Sequence, residues 1–235
     1  TIAISGKIGQ SPTGDDLADA TVRISHFHHN AGGGIVDVYD ECVVRYENCL
    51  IELDTWRGGV ELLNGAYEME NCIIRANAGK AMSIGRAASA TLKNCLLISR
   101  TDTATRGIKV GLGCNFKMQN CTVYGYAKGL HAVITPDTQV LMDQCAFLRC
   151  KTNMRINVRQ EKDGPEINLA KQVSIMESLF EPAPSSIHVL KQGDDGKWGH
   201  SGQNYGEDDY SKLVQRLGDD SGLLLKLVPE AENPE

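Results

Sequence analysis

Long hydrophobic runs are missing from this sequence, and so is an excess of positive charge. No apolar run approaches the roughly 18 residues that a membrane-spanning helix needs, so no such span is predicted. Asp and Glu together number 30 against 24 Lys and Arg, and the formal net charge is -6. An acidic balance of this kind argues against a general nucleic-acid binder. We therefore predict neither a membrane span nor a nucleic-acid partner.

Several local signatures are also missing. The chain contains no Walker loop, no dinucleotide fingerprint, no paired CxxC and no GxSxG. Helical periodicity of 3.6 residues is absent from the central part of the chain, where apolar residues alternate instead. The common nucleotide-binding, zinc-binding and α/β-hydrolase assignments are thereby disfavoured, and an all-β chain is predicted.

Cysteine is plentiful, with eight residues, and most of them are regularly placed. An amide residue and a cysteine stand side by side five times, at Asn48-Cys49, Asn71-Cys72, Asn94-Cys95, Asn120-Cys121 and Gln144-Cys145. The cysteines of successive pairs are separated by 23, 23, 26 and 24 residues. A period in the low twenties predicts a solenoid built from repeated coils.

Each repeat contains at least two short strands. One strand leads into the amide-cysteine pair, as in VRYENCLI and YEMENCII, with alternating apolar residues. A second strand precedes it, and its two apolar columns hold Val36, Val60, Met82, Ile108, Leu130, Met154 and Ile187, then Val38, Leu62, Ile84, Val110, Ala132, Ile156 and Val189. A leucine-rich repeat of similar length would show Leu-x-x-Leu-x-Leu, which is absent. Each repeat is therefore predicted to be one coil of a parallel β-helix.

With this pattern the chain resembles the right-handed parallel β-helix superfamily, the fold of pectate lyases, alginate and chondroitin lyases, polygalacturonases, uronan epimerases and phage tailspikes. The resemblance covers roughly residues 21–190 and rests on the repeat, not on the catalytic motif of one family. It implies an all-β, single-stranded, right-handed parallel β-helix of about seven coils. It implies a fold more strongly than a function.

The two ends differ from the repeats. We predict an N-terminal cap over residues 1–20, the parallel β-helix over 21–190, and a C-terminal loop, capping helix, final strand and tail over 191–235. The helix is placed at DYSKLVQRL and the strand at LLLKLV. The first residue, Thr1, and the acidic ending lead us to expect a segment of a larger polypeptide. We expect an extracellular or cell-surface location, although free cysteines leave a cytoplasmic one open.

The amide-cysteine pairs are interpreted as scaffold. Successive coils lie about 4.8 Å apart, so the asparagines are expected to form a hydrogen-bonded ladder at a bend. The adjacent cysteines are expected to be buried free thiols that fill the core as small apolar residues. Stacked cysteines point the same way at the strand spacing, which is outside the usual Cβ separation of about 3.5 to 4.5 Å for a disulfide.

Function is expected on an outward column of polar residues between the two apolar columns. This outward column holds Asp37, Glu61, Ser83, Lys109, His131, Arg155 and His188. It changes from acidic to basic along the stack, and Lys80, Arg106 and Lys128 form a second basic line just before the same strands. Like charges stacked this closely raise each other's free energy, so the arrangement indicates an anionic ligand.

Two functions fit an anionic ligand. The first is a non-catalytic module of a larger secreted or surface protein that binds an acidic polysaccharide. The second is a polysaccharide lyase that cleaves uronic-acid glycans by β-elimination, with Arg155 neutralising the carboxylate, Lys109 as the base and His131 carrying the proton to the leaving group. The outward charges also fit a solvated face without function.

Around these candidate catalytic residues, the candidate substrate-binding residues are Asp37, Glu61, Lys80, Arg106, Lys128 and His188. No metal site or cofactor is predicted. Asp37 and Glu61 are a weak signal for Ca²⁺, because the sequence supplies no third ligand.

Overall fold

The fold is seen in a computed structural model. It describes residues 4–5, 18–23, 26–29, 38–39, 42–54, 59–85, 87–101, 104–159, 164–181, 185–191, 203–205 and 224–227. Side chains are described within 43–54, 59–85, 87–101, 104–159, 164–181 and 187–190.

The described chain is almost entirely β-strand. In chain order the first strands are β1 (Ile4–Ser5), β2 (Ala18–Arg23), β3 (His26–His29), β4 (Val38–Tyr39), β5 (Cys42–Glu47), β6 (Leu50–Leu53), β7 (Val60–Leu63), β8 (Ala66–Glu70), β9 (Ile73–Ala76), β10 (Gly79–Gly85), β11 (Ser89–Lys93) and β12 (Leu96–Ile98). They are followed by β13 (Ala104–Val110), β14 (Asn115–Gln119), β15 (Thr122–Tyr124), β16 (Lys128–Ile134), β17 (Gln139–Asp143), β18 (Ala146–Leu148) and β19 (Thr152–Val158). The last elements are α1 (Leu169–Gln172), β20 (Val173–Phe180), β21 (Ser185–Lys191), β22 (Gln203–Tyr205) and β23 (Leu224–Leu227).

Every third strand stacks in parallel on its counterpart in the next coil, which gives three faces. Sheet 1 contains β7, β10, β13, β16, β19 and β21, with β22 added antiparallel at its end. Sheet 2 runs from β2 and β5 through β8, β11, β14 and β17 to β20. Sheet 3 runs from β3 and β6 through β9, β12, β15 and β18 to the same long strand β20, which therefore joins the two sheets.

The predicted fold class is confirmed, with a small difference in the number of coils. About five coils have all three faces described, from β7 to β20, against the seven predicted. Strands of the outer coils pair in register on either side, as β2 does with β5 and β21 with β19. The count differs because parts of the outer coils lie outside the described residues.

The core is a narrow column of apolar side chains inside the three sheets. The two predicted apolar columns of sheet 1 are fully buried where they are described, from Val60 and Leu62 to Ile187 and Val189. Large aromatic side chains from sheets 2 and 3 fill the remaining space, and the rings of Phe147 and Phe180 stack with centroids 5.1 Å apart. Strand alternation therefore sends the residues between these columns to the outside.

The asparagine ladder is present as predicted. The side-chain amide of Asn71 donates to Asn48 at 3.2 Å, Asn94 donates to Asn71 at 3.1 Å, and Asn120 donates to Asn94 at 2.8 Å. These residues have φ values between 50° and 56°, a left-handed conformation that asparagine tolerates better than most residues. The ladder thus marks the bend between sheets 2 and 3 and fixes the register of the coils.

The cysteines beside the ladder are buried free thiols, as predicted. All seven whose side chains are described are unbridged. The thiols of Cys95 and Cys145 donate to the carbonyl oxygens of Lys93 and Asp143, at 3.1 and 3.2 Å. Burial raises the pKa of the Cys145 thiol to about 11, so it remains protonated at neutral pH. The buried cysteine thiols are therefore unreactive, structural side chains of the core.

The ends of the chain add strands to the stack. β1 pairs with β4, β22 with β21, and β23 with β20, so the predicted final strand is confirmed. Strand β22 was not expected, because its Gly-rich surroundings predict a loop. The predicted capping helix, residues 209–217, lies outside the described residues. The short helix α1 was not predicted, and it contacts β17 and β20 and buries Leu169.

Candidate anion-binding face

The outward column of sheet 1 has the register that the sequence predicts. Backbone pairing places Glu61 beside Ser83, Ser83 beside Lys109, and Lys109 beside His131. The series continues from His131 to Arg155 and from Arg155 to His188. Lys109, His131 and Arg155 therefore lie on three consecutive coils, each about 4.8 Å from the next. Asp37, the predicted first member, lies outside the described residues.

The second basic line runs beside this column. Lys80 pairs in register with Arg106, and Arg106 with Lys128. Between Arg106 and Lys109 the residues Gly107 and Ile108 are both buried, so strict alternation is broken and two cations of one strand reach the outer side. A Cβ on Gly107 would lie 2.6 Å from the carbonyl oxygen of Gly129, so only glycine fits there without a shift.

His131 occupies the middle of the basic group and is much more buried than the sequence suggests. The residue is only 9% exposed, and both ring nitrogens are buried without a hydrogen-bond partner among the described residues. Burial lowers its pKa to about 4, and the positive charges of Arg106, Arg155, Lys128 and Lys109 lower it in the same direction. The imidazole is therefore uncharged at neutral pH.

The neighbouring side chains experience the same accumulation of positive charge. The pKa of Lys128 is lowered by burial and then by Arg155 and Arg106. The pKa of His188 is lowered by burial, Arg155 and Lys128. Arg155 donates from Nε to the side-chain oxygen of Asn157 at 3.1 Å, which helps to orient its guanidinium. Among the described residues, no carboxylate forms an ion pair with Arg106, Lys109, Lys128 or Arg155.

The acidic end of the column is different. Glu61 forms an ion pair with Lys80, so these two predicted ligand-binding side chains engage each other. The structure therefore brings together six residues without a described carboxylate partner, Arg106, Lys109, Lys128, His131, Arg155 and His188, whereas Lys80, the register neighbour of Arg106, is already paired with Glu61. We call these six residues the basic cluster. Its outer-face neighbours Asn157 and Leu190 are buried, so part of this face is sheltered from solvent.

Metal chemistry receives no support from the described part of the chain. No group of three or more His, Cys, Asp or Glu side chains there could hold a metal ion. Of the two carboxylates that gave a weak calcium signal, one is paired with Lys80 and the other is not described.

Sequence reasoning missed three features of this face. It did not find the burial of His131, the role of Asn157 as the partner of Arg155, or the glycines that set Arg106 and Lys128 beside the main column. A glycine or small residue before most strands was visible in the sequence, but nothing indicated that Gly107 and Gly129 are needed for close packing. The burial of His131 depends on how side chains of neighbouring coils pack, which no periodic pattern reveals.

Comparison with known proteins gives the family and nothing finer. Residues 53–194 match the family model described as a right-handed beta helix region, which is more than half of the chain, and the chain belongs to that family. No curated protein and no solved structure gives a significant match. Within the described residues, no helix is both long and apolar enough to cross a membrane.

Proposed function

We propose that this member of the right-handed β-helix family is a module that binds an acidic polysaccharide along the outer face of sheet 1. The proposal is carried by one observation. Three consecutive coils each place at least one cation on this face, and no described carboxylate forms an ion pair with Arg106, Lys109, Lys128 or Arg155. A flat parallel sheet repeats its side chains at the strand spacing, so an extended chain that carries repeated negative charges can contact several coils at once.

The free-energy balance of the face also favours an anionic partner. Like charges in neighbouring positions of a sheet destabilise the fold, and partial burial increases their interaction because water screens them less. A bound anion replaces repulsion by attraction at each of these positions. Within this proposal the chain is part of a larger polypeptide at the cell surface or outside the cell, where polysaccharides are available.

The test is a titration of the protein with dextran sulfate and with a polyuronate over a range of salt concentrations. Binding should weaken steeply as salt increases, because screening acts on exposed charge pairs. The variant Lys109→Ala should weaken binding by about tenfold, the effect of losing one charge-assisted contact. Lys117→Ala is the matched control, because Lys117 is an exposed lysine of the same coil on sheet 2. Absent binding, or equal losses in both variants, would contradict the proposal.

A second candidate function is a polysaccharide lyase, favoured by the uncharged state of His131. A neutral imidazole accepts a proton more readily than it donates one, which reverses the roles assigned from the sequence. His131 would take the proton α to a uronate carboxylate held by Arg155. The electron pair of that C–H bond would form a C=C bond as the β C–O bond breaks, and the Lys109 ammonium would protonate the leaving oxygen.

The lyase is tested by the ultraviolet absorbance of the unsaturated product on a panel of uronic-acid glycans. An active preparation should lose its activity in His131→Asn and keep it in Lys117→Ala. Binding of a uronic-acid glycan without any product would leave the module and exclude the lyase for that glycan.

A further inference from the structure

The ring of His131 is a buried polar group without a partner. Neutral imidazole has one N–H donor and one acceptor nitrogen, and neither is used by a described residue. Buried polar atoms in folded proteins are almost always hydrogen-bonded, and leaving one unpaired costs about 1 to 3 kcal/mol. A group that binds at this point of the outer face would supply the missing partner.

The charges around the ring show what kind of group this is. The positive charges that lower its pKa come from Arg106 and Lys109 on β13, from Lys128 on its own strand β16, and from Arg155 on β19. All four are cations, and the nearest described carboxylate of the outward column, Glu61, lies three strands from His131 and is paired with Lys80. Nε of Arg106 is also buried without a partner among the described residues, so another donor is available.

We infer that His131 forms a discrete oxyanion subsite with Arg106, Lys109, Lys128 and Arg155, and that this subsite takes a sulfate ester of the polysaccharide together with one proton. The inference rests on the proposed function, because it names the charged group that the basic cluster recognises. It also adds a regulation, since binding that takes up a proton becomes tighter as the pH falls.

The proton uptake follows from the position of the ring. Without ligand the four cations and burial keep His131 neutral, and its pKa is about 4. An anion at the subsite reverses the local field and accepts hydrogen bonds from both ring nitrogens of the imidazolium, so it raises this pKa. If the pKa returns to near 6.5, linkage predicts that affinity increases by about 20-fold between about pH 7 and pH 5.

Below this pH range, a sulfate ester and a carboxylate behave differently. Carboxyl groups have ordinary pKa values of about 3.9 to 4.3, so a carboxylate competes with His131 for the proton near pH 4, whereas a sulfate ester remains ionised. A sulfate ester also presents three terminal oxygens against two in a carboxylate, which suits a subsite with four cations and an imidazole around it. The basic cluster is therefore expected to prefer sulfated to carboxylated polysaccharide.

The first experiment measures the pKa of His131 by NMR with inorganic sulfate as the probe. Chloride balances the ionic strength, because screening alone also changes the pKa. The His131 signal is assigned by its disappearance in His131→Asn. Saturating sulfate should raise the pKa by at least about one unit in the wild type and in Lys117→Ala, and by much less in Lys128→Ala. An unchanged pKa in the presence of sulfate would overturn the subsite.

The second experiment compares dextran sulfate, carboxymethyl dextran of equal substitution and uncharged dextran, which share one backbone. Dextran sulfate should bind more tightly at about pH 5 than at about pH 7, by tenfold or more, and His131→Asn should remove this gain. Carboxymethyl dextran should bind more weakly at both pH values, and below about pH 4 it should lose affinity as its carboxylates are protonated, whereas dextran sulfate should not. Equal binding of both charged polymers at both pH values would overturn the subsite and leave the proposed polysaccharide face, whereas binding of neither would overturn both.

Discussion

The same coil geometry produces two different surfaces in this molecule. In residues 43–85, charged side chains of consecutive coils form ion pairs on each of the three sheets. The pairs are Arg45 with Glu68 at 2.8 Å on sheet 2, Arg75 with Glu52 at 3.0 Å on sheet 3, and Lys80 with Glu61 on sheet 1. Each of these pairs cancels the charges of its two members.

In residues 104–158 the outer face of sheet 1 does the opposite. Lys109, His131 and Arg155 stand in line beside Arg106 and Lys128, and they meet no described carboxylate. The register places side chains of consecutive coils next to each other in both regions. Whether these neighbours attract or repel each other depends on the signs of their charges. Opposite charges in neighbouring coils stabilise each other within the fold, whereas a stack of cations is stabilised by binding an anion from outside.

The largest expected effect comes from the backbone packing beneath the basic cluster. A Cβ on Gly129 would lie 2.5 Å from Cδ1 of Phe147 and 2.6 Å from the carbonyl oxygen of Asn153, whereas one on Gly85 would meet only the end of the Leu63 side chain, at 3.2 Å. Gly129→Ala should lower the free energy of unfolding by about 2 to 4 kcal/mol, and Gly85→Ala by less than about 1 kcal/mol. Urea unfolding measures both, and equal losses would contradict the packing described here.

The next effect is a pH dependence that the basic cluster has and the paired coils lack. The folded-state pKa of His131 is about 4, below its ordinary value of 6.5, so unfolding takes up a proton between these values. The stability contributed by the neutral ring is present above pH 6.5 and lost as the pH falls to about 4, by up to about 3 kcal/mol.

His131→Asn should remove this part of the acid destabilisation. Urea unfolding at a series of pH values gives the measurement, and His188→Asn serves as a comparison at the edge of the basic cluster. A wild type and a His131→Asn variant with parallel stability profiles between about pH 6.5 and pH 4 would argue against a buried, neutral His131.

A charge reversal should make the second region resemble the first. Lys109→Glu places a carboxylate beside His131 and near the cations of the basic cluster, so it should raise the pKa of His131. It should stabilise the fold by up to about 1 kcal/mol at low salt, the range of exposed ion pairs, while strongly weakening polysaccharide binding. Thermal unfolding and a binding titration on the same preparation check both; a less stable variant that still binds would be inconsistent with an uncompensated cation stack.

The smallest effect is expected where the charges are already paired. Glu61→Gln leaves Lys80 without its carboxylate, which should cost less than about 1 kcal/mol because the pair is partly exposed to water. Polysaccharide affinity should stay the same or increase slightly, since one cation is released next to Arg106. A loss of affinity comparable to that of Lys109→Ala would instead place Glu61 in the binding site.

Much of the fold could be predicted from the sequence because the repeat is visible in the regular spacing of its residues. The asparagine-cysteine pairs set the period, the period set the register, and the register placed Lys109, His131 and Arg155 on adjacent coils. The Glu61–Lys80 pair, the burial of His131 and the close packing at Gly107 could not be predicted, because each depends on how side chains of different coils pack in three dimensions. Strand β22 was missed because three residues among glycines and polar residues carry no strand pattern.

The most direct test is a crystal structure of the full chain soaked in selenate, a sulfate analogue that anomalous scattering locates without ambiguity. We predict the strongest selenate peak against sheet 1, within hydrogen-bond distance of a His131 ring nitrogen and of Arg155. Selenate bound only elsewhere, or an empty site at His131 in a crystal where this face is open to solvent, would contradict the claim that the unpaired cations of residues 104–158 form an anion site.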